Sequence, residues 1–212
     1  MNDSVKPEKP YVTLGGEGTA VIEEKRSEFI GCAAHVQNEA EAQDFVKSIK
    51  AKQHDARHNV FAYVLGDTVQ RYSDDGEPQG TAGIPVLDVL RKSGVTDACI
   101  VVTRYFGGIL LGAGGLVRAY TAAAKAALDA AGTLTMERRA ELRLRLSYAD
   151  YQKLSAKLDA LGAVTDAVDF GSEVTLDVAL KVAEKDRFAD VVRELFAGRV
   201  PVEVRGERYD AR

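Results

Sequence analysis

The chain has 212 residues, of which 46% are apolar and 28% charged, with a net charge of -4. That length favours two domains over one core, and the composition is that of a folded globular protein, not a disordered one. The mild acidity is spread evenly over both halves and excludes a polybasic domain, so any nucleic-acid contact has to come from a local patch.

Recognition of a DNA sequence is not expected on that balance. Met1-Asn2-Asp3-Ser4 has neither the basic start nor the apolar run of a secretory signal, and the first ten residues read as a loose leader. The most apolar stretches, 107–117 and 119–131, are too short or too interrupted by Lys125 and Asp129 to span a bilayer. A cytoplasmic protein without a membrane partner is expected. Cys32 and Cys99 sit in strand-like apolar segments, as reduced buried thiols do. Zinc spacing of the CxxC or paired Cys/His kind does not occur.

In chain order, residues 19–24 and 28–36 read as strands. Asn38 with Glu41 forms a capping box for a helix whose buried stripe is Ala42, Phe45, Val46 and Ile49. Segments 59–65 and 98–105 are rich in β-branched and aromatic residues, hence strands. Between them, 84–92 is a short helix with Pro85 in its first turn, where the missing N–H costs little. Leu116, Tyr120, Ala123, Ala127 and Leu128 define a further helix ending at Gly132. The expected first domain, 1–136, is a mixed sheet backed by helices.

The second domain, 137–212, opens with Leu142, Leu144 and Leu146 alternating with charged residues, a half-buried strand. Tyr151, Leu154, Leu158 and Leu161 follow at helical spacing, closed by Gly162. Residues 164–170 and 174–180 make a hairpin about Gly171-Ser172. Phe188, Val191, Val192, Leu195 and Phe196 give the next helix, stopped by Gly198, and Val200, Val202 and Val204 give a last strand, with Pro201 suggesting an edge. The order βαββαβ points to a ferredoxin-like sheet with two helices on one face, and the whole chain to the α+β class. No catalytic cluster falls in this half, which reads as an interaction module.

Chemistry-bearing residues gather in the first half. Thr103-Arg104-Tyr105-Phe106-Gly107-Gly108 leaves a strand, passes Gly112, Gly114 and Gly115, and enters a helix flanked by Arg104 and Arg118. Such a loop allows positive φ and close backbone approach, and unpaired N–H groups at the helix start attract an anion. The same glycines serve equally well to pack the helix on the sheet. The spacing is neither a P-loop nor a dinucleotide fingerprint, and no cofactor is expected.

A second feature is the turn Ser73-Asp74-Asp75-Gly76-Glu77-Pro78. Asp74, Asp75 and Glu77 are candidates to hold a divalent metal or to act as acid and base; they also suit a solvated turn bonding nearby amides. The third is His54-Asp55-Ala56-Arg57-His58, where His54 and His58, beside Asp55 and Arg57, are candidates for proton transfer or ligation, or simply structural; Asp75 of the acidic turn is a further catalytic candidate.

Together, the segment from His54 to Tyr63, the stretch Ser73-Asp74-Asp75-Gly76-Glu77-Pro78-Gln79-Gly80-Thr81-Ala82-Gly83-Ile84-Pro85, and the run from Val102 to Tyr120 resemble the signatures of the IMPACT/YigZ family. The resemblance covers essentially the whole chain. It implies an amino-terminal domain similar to ribonuclease PH and a ribosomal-protein domain, and a ferredoxin-like domain similar to the last domain of elongation factor G. Where family members often carry Cys-Trp after the His motif, this chain has Val60-Phe61, so a thiol nucleophile is not implied there. Eukaryotic relatives engage an activator of a starvation-responsive kinase through an additional domain, and that role is not carried over.

The expected function is therefore binding of RNA, the ribosome or a translation factor, linked to regulation of translation. Arg104, Gly107, Gly108, Gly112, Gly114, Gly115 and Arg118 are the expected phosphate ligands. The alternatives are a metal-assisted hydrolase or phosphoryl-transfer enzyme built on Asp74, Asp75 and Glu77, and a protein-binding adaptor.

Overall fold

A computed structural model describes residues 9–211, so the expected leader lies largely outside the described residues. The polypeptide divides into two compact units, Met1–Thr135 and Met136–Arg212.

In the first unit the elements run β1 (Tyr11–Leu14), β2 (Gly18–Glu24), β3 (Ser27–His35), α1 (Glu39–Lys52), β4 (His58–Leu65), β5 (Val69–Ser73), α2 (Gly83–Ser93), β6 (Ala98–Tyr105) and α3 (Gly112–Ala131). Five strands form one sheet in the order β2-β3-β6-β4-β5. The α+β class holds, but the mixed sheet expected for this half is antiparallel at every ladder. The reason is topological. β3 and β4, joined through α1, run parallel as a βαβ unit should, yet β6 inserts between them and pairs antiparallel with both.

β6 is the central strand, and its residues from Ala98 to Arg104 are all buried. Alternation sends Ile100 and Val102 towards α2 and α3, with Phe29, Leu87, Leu90 and Tyr120, while Cys99 and Val101 face α1 with Val46 and Ile49. Coverage on both faces explains why β6 reads as a continuous apolar run. Cys32 and Cys99 are free and buried, and burial pushes the Cys99 thiol up to about 12. At α1 Asn38 caps the helix as expected, the Glu41 amide donating to Asn38 Oδ1 at 2.9 Å, while the Glu41 carboxylate reaches one residue further back and accepts from the Gln37 amide at 2.7 Å.

Helix α3 lies unusually close to the sheet, and the residues that permit it are glycines of β2 and β3. A Cβ at Gly31 would sit 2.5 Å from the Ala123 carbonyl oxygen, and one at Gly18 would sit 2.2 Å from the Ala131 nitrogen. Small residues meet small residues there, Gly31 against Ala123 and Ala127.

In the second unit, β7 (Thr133–Leu146, beginning just before the unit's boundary), α4 (Tyr148–Ser155), β8 (Val164–Phe170), β9 (Val174–Lys181), α5 (Lys185–Leu195) and β10 (Glu203–Ala211) follow the expected βαββαβ order. The strands of this unit pair in the order β8-β9-β7-β10, each of these three ladders antiparallel, which is ferredoxin-like. Leu142, Leu144, Leu146, Leu176, Phe188 and Val192 make its core. On the opposite face Arg143 donates to both oxygens of Asp177, at 2.7 and 2.8 Å, and this bond lowers the Asp177 carboxyl below its ordinary value.

Two elements differ from the sequence reading. α4 stops at Ser155, and Gly162 closes a separate helical turn at 159–161 with φ of 66°. The last strand begins at Glu203 and runs to Ala211, though it does lie at the sheet edge. No helix among the described residues is long and apolar enough to cross a membrane.

Because the atom opposing a methyl at Gly31 is backbone, Gly31→Ala is expected to destabilise the protein by about 3 kcal/mol, the upper end of typical overpacking costs. Gly16→Ala, which meets nothing within 4 Å, is expected to stay within about 0.5 kcal/mol of wild type. Equilibrium chemical denaturation of the two variants checks the contrast.

Candidate functional site

The acidic turn is a connector. Asp74 Oδ1 accepts from the amides of Gly83 (2.7 Å) and Ala82 (3.2 Å), and Oδ2 accepts from Gly80 (2.9 Å). It thereby caps α2, whose own N-cap residue Ala82 has no side chain to do so. Asp75, with φ of 45°, accepts Lys50 Nζ at 2.8 Å on one oxygen and the Asn59 amide at 2.7 Å on the other. Glu77 is buried, and its Oε1 accepts both Arg104 Nη1 at 2.7 Å and the Tyr120 hydroxyl at 2.8 Å.

These carboxylates therefore do not converge on a shared ion, as the metal reading requires. Each is taken up by donors of its own chain, and no group of three or more His, Cys, Asp or Glu among the described residues is placed to hold a metal.

Arg104 also differs from expectation. It is an inward-facing side chain, 8% exposed, not an open cation at the loop's edge. On the antiparallel ladders Arg104 lies directly opposite Phe29 of β3 and His58 of β4, so all three share one sheet face. Its guanidinium carbon is 5.6 Å from the ring centroids of both Phe29 and Phe106. An isolated buried guanidinium is too costly to persist, and Glu77 makes the position tenable. Burial, followed by the adjacent Glu77, pushes the Tyr120 phenol well above its ordinary value, so Tyr120 serves only as a neutral donor. Arg104 Nε remains buried without a partner.

At the end of β6 and the start of β4 opens a pocket of about 580 Å³, lined by Asp55, Arg57, His58, Arg104, Tyr105, Phe106 and Leu110. His58 Nδ1 is 2.9 Å from the Asp75 carbonyl oxygen. A carbonyl can only accept, so Nδ1 is assigned as the donor, and Nε2 is the ring nitrogen turned away from this bond. His54 is exposed and lies outside this lining, so the two candidate histidines part company. The Tyr105 hydroxyl donates to Asp55 Oδ1 at 2.6 Å, and the side-chain amide of Gln53 lies 2.8 Å from the same hydroxyl. The first bond raises the phenol to about 12 and lowers the Asp55 carboxyl, so at neutral pH they are a neutral donor and an anion.

The glycines of the loop do different work. A Cβ at Gly107 would fall 2.0 Å from the carbonyl of Arg26, and the Gly107 amide donates to Ser27 Oγ at 3.1 Å. Gly107 thus seats the loop on the Lys25-Arg26 turn, where both residues have positive φ. Gly115 packs against Leu111, while Gly108 and Gly112 adopt φ of 83° and 70°. Gly114 has no such duty: it sits exposed in the first turn of α3, where a Cβ would meet only the Arg118 guanidinium at 3.6 Å. That turn has no side-chain cap and no acidic residue, and Arg118 is exposed. Bare amides at a helix start with no carboxylate beside them favour an anion.

Arg57, Tyr105, Phe106, Leu110 and the Lys25-Arg26 turn were not singled out by sequence reasoning. The signal for Phe106 and Leu110 was an aromatic and a leucine at a strand end, in a segment broken by Gly107, Gly108 and Gly112, where they are 53% and 82% exposed instead of buried.

Removing Glu77 leaves Arg104 buried and uncompensated, so Glu77→Ala is expected to cost about 3–5 kcal/mol. Tyr120→Phe removes one donor and is expected to cost about 1–2 kcal/mol. Denaturant titration separates the two, and added magnesium is expected to leave the wild-type melting temperature unchanged.

Comparisons with known proteins agree with this architecture. A family model described as the Impact N-terminal domain matches residues 25–128, and one described as a domain of unknown function (DUF1949) matches 144–199. The chain is 38% identical over 194 residues to the IMPACT family member YvyE of Bacillus subtilis (strain 168), covering 89% of this chain and 88% of that protein. It is 40% identical over 187 residues to the IMPACT family member YigZ of Escherichia coli (strain K12), covering 85% and 90% respectively. A solved structure titled "Crystal structure of an hypothetical protein" aligns with a TM-score of 0.62 at 35% identity, over 92% of this chain and 96% of that one. The acidic turn, the His58 strand and the glycine loop all fall within the matched amino-terminal segment, and the chain belongs to the IMPACT family.

Proposed function

We propose that this protein binds RNA, free or within the ribosome, through the pocket of the first unit, and that its role in translation follows from that contact. The observation that carries the reading is the pocket wall itself, where Arg57 and His58 stand beside the exposed Phe106 and Leu110, Leu110 lying two residues ahead of an uncapped, acid-free helix start. A phosphate needs donors not already committed within the protein. Arg57, Arg118 and the first amides of α3 meet that need, whereas Arg104 is held by Glu77 and shapes the wall. Unstacked bases need apolar or planar surface, and the loop offers it. With a net charge of -4, attraction is local and not a property of the whole surface.

Fluorescence anisotropy with a labelled single-stranded RNA oligonucleotide tests this. Binding is expected to weaken steeply with salt, and Arg57→Ala combined with Arg118→Ala is expected to reduce the log–log salt slope by about 1.4, the value for two phosphates on a single strand. Absence of binding at low salt, or a double variant indistinguishable from wild type, overturns the proposal. Nuclease-resistant capture of a protein from lysate through the same residues would instead identify a protein partner.

A second reading rests on His58 alone. Its ring is oriented by the contact of Nδ1 with the Asp75 carbonyl, which leaves Nε2 as the nitrogen available to a general base, in a pocket that also holds Arg57 and Arg104. Cleavage of bound RNA that disappears in His58→Ala, with binding retained, would support it, and intact RNA after prolonged incubation rejects it.

A further inference from the structure

Phe106 is the outermost layer of a stack that begins deep in the core. The Tyr120 ring meets Phe29 edge-on, with centroids 5.2 Å apart at 87°. Phe29 faces the Arg104 guanidinium at 5.6 Å, and the guanidinium faces Phe106 at the same distance. Glu77 Oε1 accepts from Arg104 Nη1 at 2.7 Å and from the Tyr120 hydroxyl at 2.8 Å. The final ring, 53% exposed, lines the pocket and has nothing of the described residues stacked beyond it.

An aromatic ring half in water on a glycine-rich loop would ordinarily fold back onto apolar surface. Here a cation anchored in the core fixes its position from behind, with no need for the loop to be rigid. Such a ring is pre-organised, so a planar partner that lands on it loses only its own freedom. Next to it, Arg57 supplies a positive charge, and Leu110, 82% exposed, forms an apolar lip.

We propose that Phe106 is a stacking platform for one base of single-stranded RNA, with Leu110 at the base edge and Arg57 on the adjoining phosphate; this deepens the RNA reading and rests on it. Arg104, Glu77 and Tyr120 are positioning residues for that platform. Every base has a π-face, so the contact distinguishes a base from no base, not one sequence from another.

The test compares a short single-stranded RNA with an oligonucleotide of equal length and charge that lacks bases, for the wild type and for Phe106→Leu, Phe106→Ala and Phe106→Trp. Circular dichroism melting establishes that each variant is folded. Wild type and Phe106→Trp are expected to prefer the base-bearing strand by about tenfold, within the range of base–aromatic stacking. Phe106→Leu keeps apolar bulk over Arg104 but offers no flat face, and it is expected to lose the preference along with Phe106→Ala while still binding both strands. Equal wild-type affinity for the two strands, or a preference that survives in Phe106→Leu, overturns the stacking proposal and leaves phosphate binding intact. Failure of the wild type to bind either strand overturns the RNA reading itself.

Discussion

The buried ion pair between Glu77 and Arg104 is the constraint from which the site follows. Neither charge could be left alone in the interior, because each would cost several kcal/mol to desolvate and only their mutual contact offsets that cost. One carboxylate oxygen binds the guanidinium at the end of β6 and the hydroxyl of α3, so three segments far apart in the chain are locked to a single atom. Everything outward of that atom inherits its position: the guanidinium of Arg104, the ring of Phe106, and the wall of the pocket.

Around this anchor the acidic turn acts as a clasp. Asp74 gathers three amides at the start of α2, and Asp75 ties α1 to the head of β4 through Lys50 and the Asn59 amide. By engaging Asp75's carbonyl, His58 enters the pocket in a defined orientation. The acid residues are thus spent on internal donors, while α3 begins without an acid or a cap. On the proposed reading, a mildly acidic surface attracts an anion where carboxylates are withheld from one place, not where lysines accumulate.

Much of this was legible in the residues. The helix cap at Asn38, the apolar run of β6 and the βαββαβ order of the second unit are local signals, and local signals survive folding. The insertion of β6 between β3 and β4 is a long-range choice that no window of sequence records, which is why the sheet reads as mixed until its ladders are seen. β5, with the sequence Val69-Gln70-Arg71-Tyr72-Ser73, is an edge strand without an apolar stripe and leaves no periodic trace. Within the site, the three segments were identifiable but their partners were not, since a carboxylate bound to a backbone amide looks the same in sequence as one bound to a metal. The inward turn of Arg104 did have a signal. It lies two residues beyond Val102 and four beyond Ile100, on the core-facing side of a strand with period two.

The most direct measurement is amide chemical-shift mapping by NMR as a short single-stranded RNA is titrated into the protein. Shifts are expected at residues 55–58, 104–110 and the first turn of α3 from Gly112 to Gly115, with the second unit unmoved. Shifts confined to the second unit, or a silent first turn of α3 in a saturated complex, would contradict the proposal that this pocket binds RNA.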